Sequence, residues 1–216
     1  MGIKTILFDL DGTLLDTNEL IIQSFQHTYK THLEREVPRE KIIKSFGEIL
    51  KITLDRECPE CSDEALDTYR GFQNLNFEKF ITIHTGVKEV VEGLYKKGYK
   101  LGVVTSRLNE SARRGLKLFD LEKYFSCIVG ANNTDKHKPD PAPVLMALKE
   151  LNSHPKEAMM VGDSPFDVLC GKNAGVISVA VSWSALPKEM YLKHEPDYVV
   201  DSMEELIKII EESNKK

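Results

Sequence analysis

The 216-residue sequence lacks any apolar run long enough to cross a membrane, and it opens on a strand-like segment rather than a signal peptide. We therefore expect no membrane partner and a cytoplasmic location. It also lacks a basic surplus, because 29 Lys and Arg stand against 34 Asp and Glu, for a net charge of −5. This balance argues against a nucleic-acid partner. It leaves room for a small anionic substrate, since a bound metal and a few local cations can reverse the local field.

Cysteine is scarce, with four residues in the chain. Cys58 and Cys61 form a single C-x-x-C pair, and no second pair follows to complete a structural zinc site. Without a signal peptide, reduced thiols are expected at this pair rather than a zinc or redox centre.

Apolar segments of two kinds fill the rest of the sequence. Residues 17 to about 80 show helical spacing without strand alternation. After Thr82, short apolar strands alternate with helices through short connections. Such alternation is typical of an α/β fold with a parallel sheet covered by helices on both faces. We therefore predict an α/β core formed by residues 1–16 and 82–216, with a separate helical unit at 17–81.

The first predicted strand, about Ile3 to Leu10, carries two carboxylates at its end. Asp9 and Asp11 are one residue apart, and Gly12 follows at once. On a strand both side chains would face the same side, where like charges repel unless a divalent cation neutralises them. The alternative is an ordinary strand followed by an Asx turn.

Further polar residues follow later elements of the predicted sheet. Thr105 and Ser106 end one strand, Asp163 ends another, Asp167 lies one helical turn further on, and Lys138 precedes a helix. Ligands of such sheets bind at the carboxyl ends of the strands. Each residue also has a simpler interpretation: a hydroxyl that satisfies local backbone, a solvated loop lysine, a helix N-cap or a solvated acid.

Together these residues match the needs of phosphoryl transfer, which are a nucleophile, charge neutralisation and donors for the phosphate oxygens. Asp9 can attack the phosphorus and form an aspartyl-phosphate. Asp11 can act as general acid and then as general base. Thr105 and Lys138 can bind phosphate oxygens.

An all-oxygen set of ligands suits Mg²⁺. Asp9, the backbone carbonyl of Asp11 and Asp163 are the predicted ligands. Asp167 is a further candidate, either directly or through water.

The ordered motifs resemble those of the haloacid dehalogenase superfamily. The matching pieces are Asp9–Thr13, Thr105–Ser106, Lys138–Pro141 and Gly162–Asp167, and they span nearly the whole chain. The resemblance implies a Rossmann-like core with an inserted helical cap, which agrees with the helical unit at 17–81. It implies the same roles for the carboxylates, threonine and lysine, with Mg²⁺ as cofactor.

Departures within the superfamily narrow the activity. Dehalogenases lack the second aspartate, so Asp11 favours a phosphatase. Members similar to β-phosphoglucomutase carry a histidine where Ile21 stands, which weakens the phosphomutase alternative. The segments Leu15–Ile22 and Trp183–Val200 resemble the phosphoglycolate phosphatase and bacterial pyrophosphatase group. This implies pyrophosphate as first substrate and phosphoglycolate as second. A non-catalytic binding protein on the same fold is the third alternative.

Substrate selection is expected in the cap, with Ser45–Glu48 as the candidate loop because Gly47 lets backbone approach a ligand. On the core side, Thr105, Ser106, Arg107 and Lys138 are the predicted substrate contacts. The expected partner is a small phosphorylated substrate, and the expected state is a monomer or a homodimer.

Overall fold

A computed structural model describes residues 2–215 and contains a six-stranded parallel sheet. The strands are β1 (Thr5–Phe8), β2 (Leu15–Asp16), β3 (Thr82–Ile83), β4 (Lys100–Val104), β5 (Cys127–Val129), β6 (Ala158–Gly162), β7 (Ile177–Val181) and β8 (Tyr198–Val200). The helices are α1 (Asn18–Leu33), α2 (Arg39–Ile43), α3 (Leu50–Glu57), α4 (Ser62–Phe80), α5 (Val87–Lys96), α6 (Asn109–Leu118), α7 (Ala142–Glu150), α8 (Pro165–Ala174), α9 (Lys188–Leu192) and α10 (Met203–Ser213). The strand order is β5-β4-β1-β6-β7-β8, so the predicted α/β class is confirmed.

The first strand lies in the middle of the sheet, and all four of its residues are buried. Its side chains alternate between two apolar cores, with Ile6 and Phe8 on one face and Leu7 on the other. Phe8 pairs with Val103 on one side and with Val161 on the other. The residues that follow these three strands therefore meet at one edge of the sheet.

Helices α1 to α4 lie between β2 and β3 in the chain, and they share an apolar cluster of their own that includes Ile22, Phe25 and Tyr69. Strands β2 and β3 pair antiparallel, so the chain leaves and re-enters the sheet region at one place. The chain turns between α2 and α3 at Gly47, whose φ of 84° lies in the left-handed region that favours glycine. Cap boundaries at 17 and 81 stay a prediction.

The C-x-x-C pair corrects one expectation. Cys58 and Cys61 form a disulfide at the turn between α3 and α4, so the prediction of reduced thiols there is wrong. The helix ends hold the two Cα atoms 5.6 Å apart, a separation that a disulfide spans. Cys127 and Cys170 are free and buried. Within residues 2–215, the helices are too short or too polar to serve as a membrane span.

Candidate active site

Three carboxylates converge at the edge of the sheet where β1 and β6 end. Asp9 follows β1, Asp163 follows β6, and Asp167 lies in the first turn of α8. One oxygen from each lies within 4.8 Å of the others. All three are buried, with at most 5% of each residue exposed. The structure thus brings together three of the four predicted metal ligands.

Lys138 lies in the loop between β5 and α7, with its side chain only 3% exposed. Its Nζ is 2.8 Å from Oδ1 of Asp9 and 2.6 Å from Oδ1 of Asp167, and it also donates to the Val104 carbonyl at 3.3 Å. Burial alone would lower the pKa of this ammonium, but the carboxylates of Asp167 and Asp9 raise it above its usual range. The alternative of a solvated loop lysine is therefore wrong.

The charges in this cluster do not balance. Burial raises the pKa of Asp9 to about 7 against the opposing effect of Lys138, and the nearby Asp167 raises it further. Burial and the two neighbouring carboxylates also raise the pKa of Asp163 well above its ordinary value. Three carboxylates against one ammonium leave an excess of negative charge. The oxygen donors and this excess both fit a divalent cation.

Asp167 and Asp163 are each enclosed by neighbouring chain, through hydrogen bonds at Asp167 and through the close approach of Gly12 at Asp163. Oδ2 of Asp167 accepts hydrogen bonds from the backbone N–H of Ser164 at 3.1 Å and from its hydroxyl at 2.6 Å, so Asp167 is not a solvated acid. Gly12 has a φ of 79°, and a Cβ atom there would lie 2.3 Å from Oδ2 of Asp163. Only glycine lets the turn after Asp11 lie this close to the cluster.

Asp11 points elsewhere. Its side chain is outside the carboxylate cluster and forms a two-pronged ion pair with Arg107. Nη2 of Arg107 is 2.9 Å from Oδ1 of Asp11, and Nε is 3.0 Å from Oδ2. The two aspartates of the motif therefore occupy different surroundings, as separate roles would require. Because the Asp11 side chain lies outside the cluster, only its backbone carbonyl could be a metal ligand, and that role stays a prediction.

The hydroxyls at the end of β4 have local partners. Oγ1 of Thr105 accepts a hydrogen bond from the Arg107 backbone N–H at 3.2 Å, while the residue lines the cavity beside Asp9. Ser106 donates to the carbonyl of Gly47 at 2.9 Å. Ser106 thus joins the core to the loop between α2 and α3, and its predicted role as a substrate contact stays untested.

A cavity of about 420 Å³ lies between the strand ends on one side and helices α1, α3 and α4 with the loop before α3 on the other. Its floor contains Asp9, Asp11 and Lys138. Its wall on the helical side is mixed. The apolar and aromatic residues there are Ile21, Phe25, Phe46, Ile49, Leu50 and Tyr69, and the polar ones are Asn18, Ser45, Glu48, Lys51, Arg70, Gln73 and Asn74. Glu48 also borders the cavity, but its carboxylate binds Arg56 at 2.8 and 2.9 Å and Thr53 at 2.6 Å. This acid is already neutralised and does not oppose an anionic substrate.

Sequence reasoning missed several residues that organise the site. Gln73 and Ser111 both bind Nη1 of Arg107, at 3.2 and 3.0 Å. Ser184 donates to Oδ2 of Asp163 at 3.0 Å. These are single polar residues within helices or loops, and nothing in their local sequence distinguishes them from solvated ones.

Residues 6–181 match the family of haloacid dehalogenase-like hydrolases. The chain belongs to this family, as the sequence predicted. The prediction that it is an enzyme of the phosphatase class is confirmed as well.

Among curated proteins, pyrophosphatase PpaX of Halalkalibacterium halodurans is 40% identical over 210 residues, which cover 97% of this chain and 98% of the relative. A protein of Caldanaerobacter subterraneus subsp. tengcongensis, provisionally named pyrophosphatase PpaX, is 49% identical over 210 residues, which cover 97% of this chain and 96% of that protein.

Among solved structures, one described as a predicted phosphatase from Clostridium acetobutylicum has a TM-score of 0.88 at 26% identity, covering 98% of this chain and 100% of that one. Another, described as a predicted phosphoglycolate phosphatase from Haemophilus somnus, has a TM-score of 0.83 at 25% identity, covering 96% of this chain and 97% of that one.

Proposed function

We propose that this chain is a Mg²⁺-dependent phosphatase that acts through an aspartyl-phosphate on Asp9, with pyrophosphate as first substrate and phosphoglycolate as second. The observation that carries the proposal is the separation of the two motif aspartates. Asp9 faces Lys138 and the other carboxylates, whereas Asp11 faces the cavity beside Arg107. The names of the curated relatives support pyrophosphate, and the similarity to the Haemophilus somnus structure supports the second substrate.

In the first half-reaction an oxygen of Asp9 attacks the phosphorus, and the bond from phosphorus to the leaving-group oxygen breaks. For this step Asp11 must be released from its ion pair with Arg107 and carry a proton, which it donates to the leaving oxygen. The Thr105 hydroxyl and the Lys138 ammonium bind the non-bridging oxygens and hold the phosphoryl group in line. Lys138 also favours the ionised form of Asp9, which attack requires.

In the second half-reaction Asp11 removes a proton from a water molecule, which attacks the phosphorus of the aspartyl-phosphate. The bond between Asp9 and phosphorus breaks, and phosphate and the free carboxylate are regenerated.

Asp9, Asp163 and the backbone carbonyl of Asp11 would hold Mg²⁺, with Asp167 in support. The ion would neutralise the excess negative charge of the cluster and the charge that develops on the phosphoryl oxygens.

Residues 17–81 act as the cap in this proposal. They form the helical wall of the cavity, and closure over the strand ends would exclude water. The cytoplasmic location and the monomeric or dimeric state stay predictions. A phosphomutase is less well supported, because Ile21 lines the cavity without any group that could transfer a proton.

Trapping the intermediate tests this proposal. Enzyme is mixed with Mg²⁺ and pyrophosphate or an aryl phosphate, quenched, and treated with borohydride, which reduces an acyl phosphate but not a free carboxylate. We expect the reduced side chain at Asp9 in peptide mass spectra, and none in Asp9→Asn. Asp55→Asn, a change at an exposed ion pair on α3, should leave the label in place. Turnover by the unmodified chain with no label at Asp9, or activity retained in Asp9→Asn, would refute the assignment of Asp9 as the nucleophile.

A further inference from the structure

Arg107 is a buried cation that borders the cavity, and the proposed phosphatase mechanism does not explain its position. Its side chain is 7% exposed, although it borders the cavity. Its guanidinium is held by Asp11 on one side and by Gln73 and Ser111 on the other. The group also lies 5.6 Å from the centre of the Phe77 ring. An arginine fixed on so many sides presents its donors in one orientation.

The other cations that border the cavity differ from Arg107 in burial or in partners. Lys138 already binds two carboxylates of the cluster. Lys51 is 40% exposed and pairs with acids on the outer surface. Arg114 is 43% exposed and approaches Glu78, and Arg70 is exposed. Arg107 is therefore the well-buried guanidinium of this cavity, among the residues 2–215 described.

The position of Arg107 relates it to the leaving group. Its bound carboxylate belongs to Asp11, the residue that contacts the leaving-group oxygen in the proposed mechanism. The Arg107 guanidinium, which binds Asp11 through two nitrogens in this structure, has the geometry that suits any carboxylate or phosphate. An anionic group attached to the leaving oxygen would enter the same space and could share or replace this contact.

We propose that Arg107 recognises a second anionic group on the leaving side of the substrate, so that the site selects phosphorylated compounds that carry a carboxylate or a further phosphate next to the reacting phosphoryl group. This inference rests on the proposed function, because it takes the side of Asp11 as the leaving side. It deepens that function by naming the charge that distinguishes good substrates from poor ones.

The helical unit contributes to this recognition. Nη1 of Arg107 donates to Oε1 of Gln73 on α4, and Nε2 of Gln73 donates to the hydroxyl of Tyr69 at 3.1 Å. Gln73 is thus a positioning residue that orients the Arg107 guanidinium from the opposite wall of the cavity. Recognition of the second anion would then depend on α4 lying over the strand ends, as it does in this structure.

A matched pair of substrates tests the proposal. Phosphoglycolate and 2-hydroxyethyl phosphate differ in that a carboxylate replaces a hydroxymethyl group. Their kcat and KM are measured with the unmodified chain, Arg107→Gln, Arg107→Lys and Arg114→Gln, with pyrophosphate as a further probe that carries a second anionic group. Because turnover of one compound can be too slow to measure, each is also tested as a competitive inhibitor of 4-nitrophenyl phosphate hydrolysis.

We expect the unmodified chain to prefer phosphoglycolate, and Arg107→Gln to reduce that preference by about 10- to 100-fold, the range for loss of hydrogen bonds to a charged group. The reduced preference should appear mainly as a higher KM and a higher inhibition constant for phosphoglycolate. In Arg107→Gln, kcat/KM should also fall by a common factor for both substrates, because Asp11 loses its ion-pair partner. Arg107→Lys should retain part of the preference, and Arg114→Gln should keep it.

Equal losses for both compounds in Arg107→Gln would overturn the proposal and leave Arg107 as a support for Asp11. An unmodified chain that shows no preference would overturn it too, while the phosphatase function would stand on 4-nitrophenyl phosphate hydrolysis. If the chain hydrolyses none of these phosphates, the proposed function fails, and this inference fails with it. Melting curves of each variant check that the fold is intact.

Discussion

Two regions of this molecule meet at the cavity, and they are built differently. The strand-end cluster consists of Asp9, Lys138, Asp163 and Asp167, and its members sit directly after strands, in the adjoining loop or at the start of a helix. The second region, called the cap–core contact because it joins the proposed cap to the sheet, consists of Arg107 with Gln73 and of Ser106 with Gly47. The cluster is buried and carries unbalanced charge, whereas the contact is made of single polar links.

From this difference we expect the strand-end cluster to act in the chemical step and the contact with the helices to act in closure over the site. The sheet brings the strand ends together whatever the helices at 18–80 do, because the strand pairing alone fixes their neighbours. The cap–core contact exists only while those helices lie over the strand ends. Changes in the cluster should therefore alter stability and the chemical step, and changes in the contact should act mainly on substrate binding.

The largest effect is expected at Lys138. In Lys138→Met the cluster loses its buried ammonium, and the free energy of unfolding should fall by about 3–5 kcal/mol, because three buried carboxylates are left without a counter-charge. Urea unfolding measures the change. Lys136→Met is the matched control two residues away, since Lys136 is 72% exposed, and it should change stability by less than about 0.5 kcal/mol. Similar losses in the two variants would mean that the cluster charge does not matter for the fold.

A second prediction concerns metal. Mg²⁺ at about 100 times its dissociation constant should stabilise the chain by about 2.7 kcal/mol, because only the folded state assembles the carboxylates. Asp163→Asn should remove most of this gain. Without Mg²⁺ the variant should be at least as stable as the unmodified chain, because one of three like charges is gone. Thermal melting with Mg²⁺ and with EDTA measures both. An equal response of both chains to Mg²⁺ would exclude Asp163 as a ligand.

The two regions also differ in how far the sequence predicts them. Asp9, Asp163 and Asp167 could be predicted because each directly follows a recognisable strand or begins a helix, and parallel strands fix where such residues meet. The fold class was predictable for the same reason. Contacts such as Arg107 with Gln73 join residues 34 positions apart through a helix orientation that no local pattern encodes. The disulfide of Cys58 and Cys61 was missed because a C-x-x-C spacing is compatible with either state.

The cap–core contact can be tested at Gly47, where the smallest effect is expected. Its φ is 84°, and a Cβ atom there would lie 2.8 Å from Oγ of Ser164 and 2.9 Å from Cδ2 of Phe166. Gly47→Ala should therefore cost about 1–2 kcal/mol in backbone strain and disfavour closure over the strand ends. We expect KM to rise by about tenfold, a change equivalent to about 1.4 kcal/mol of binding, with a smaller change in kcat.

Gly71 provides the matched control, because it lies on α4 with ordinary helical backbone, and a Cβ atom added there would meet no other group within 4 Å. Gly71→Ala should leave KM unchanged and stabilise the helix by about 0.5–1 kcal/mol. Steady-state kinetics and urea unfolding of both variants separate strain from closure. If Gly47→Ala lowered stability without changing KM, the loop at Gly47 would be a rigid part of the fold, and the distinction between a chemical cluster and a closing contact would lose its support.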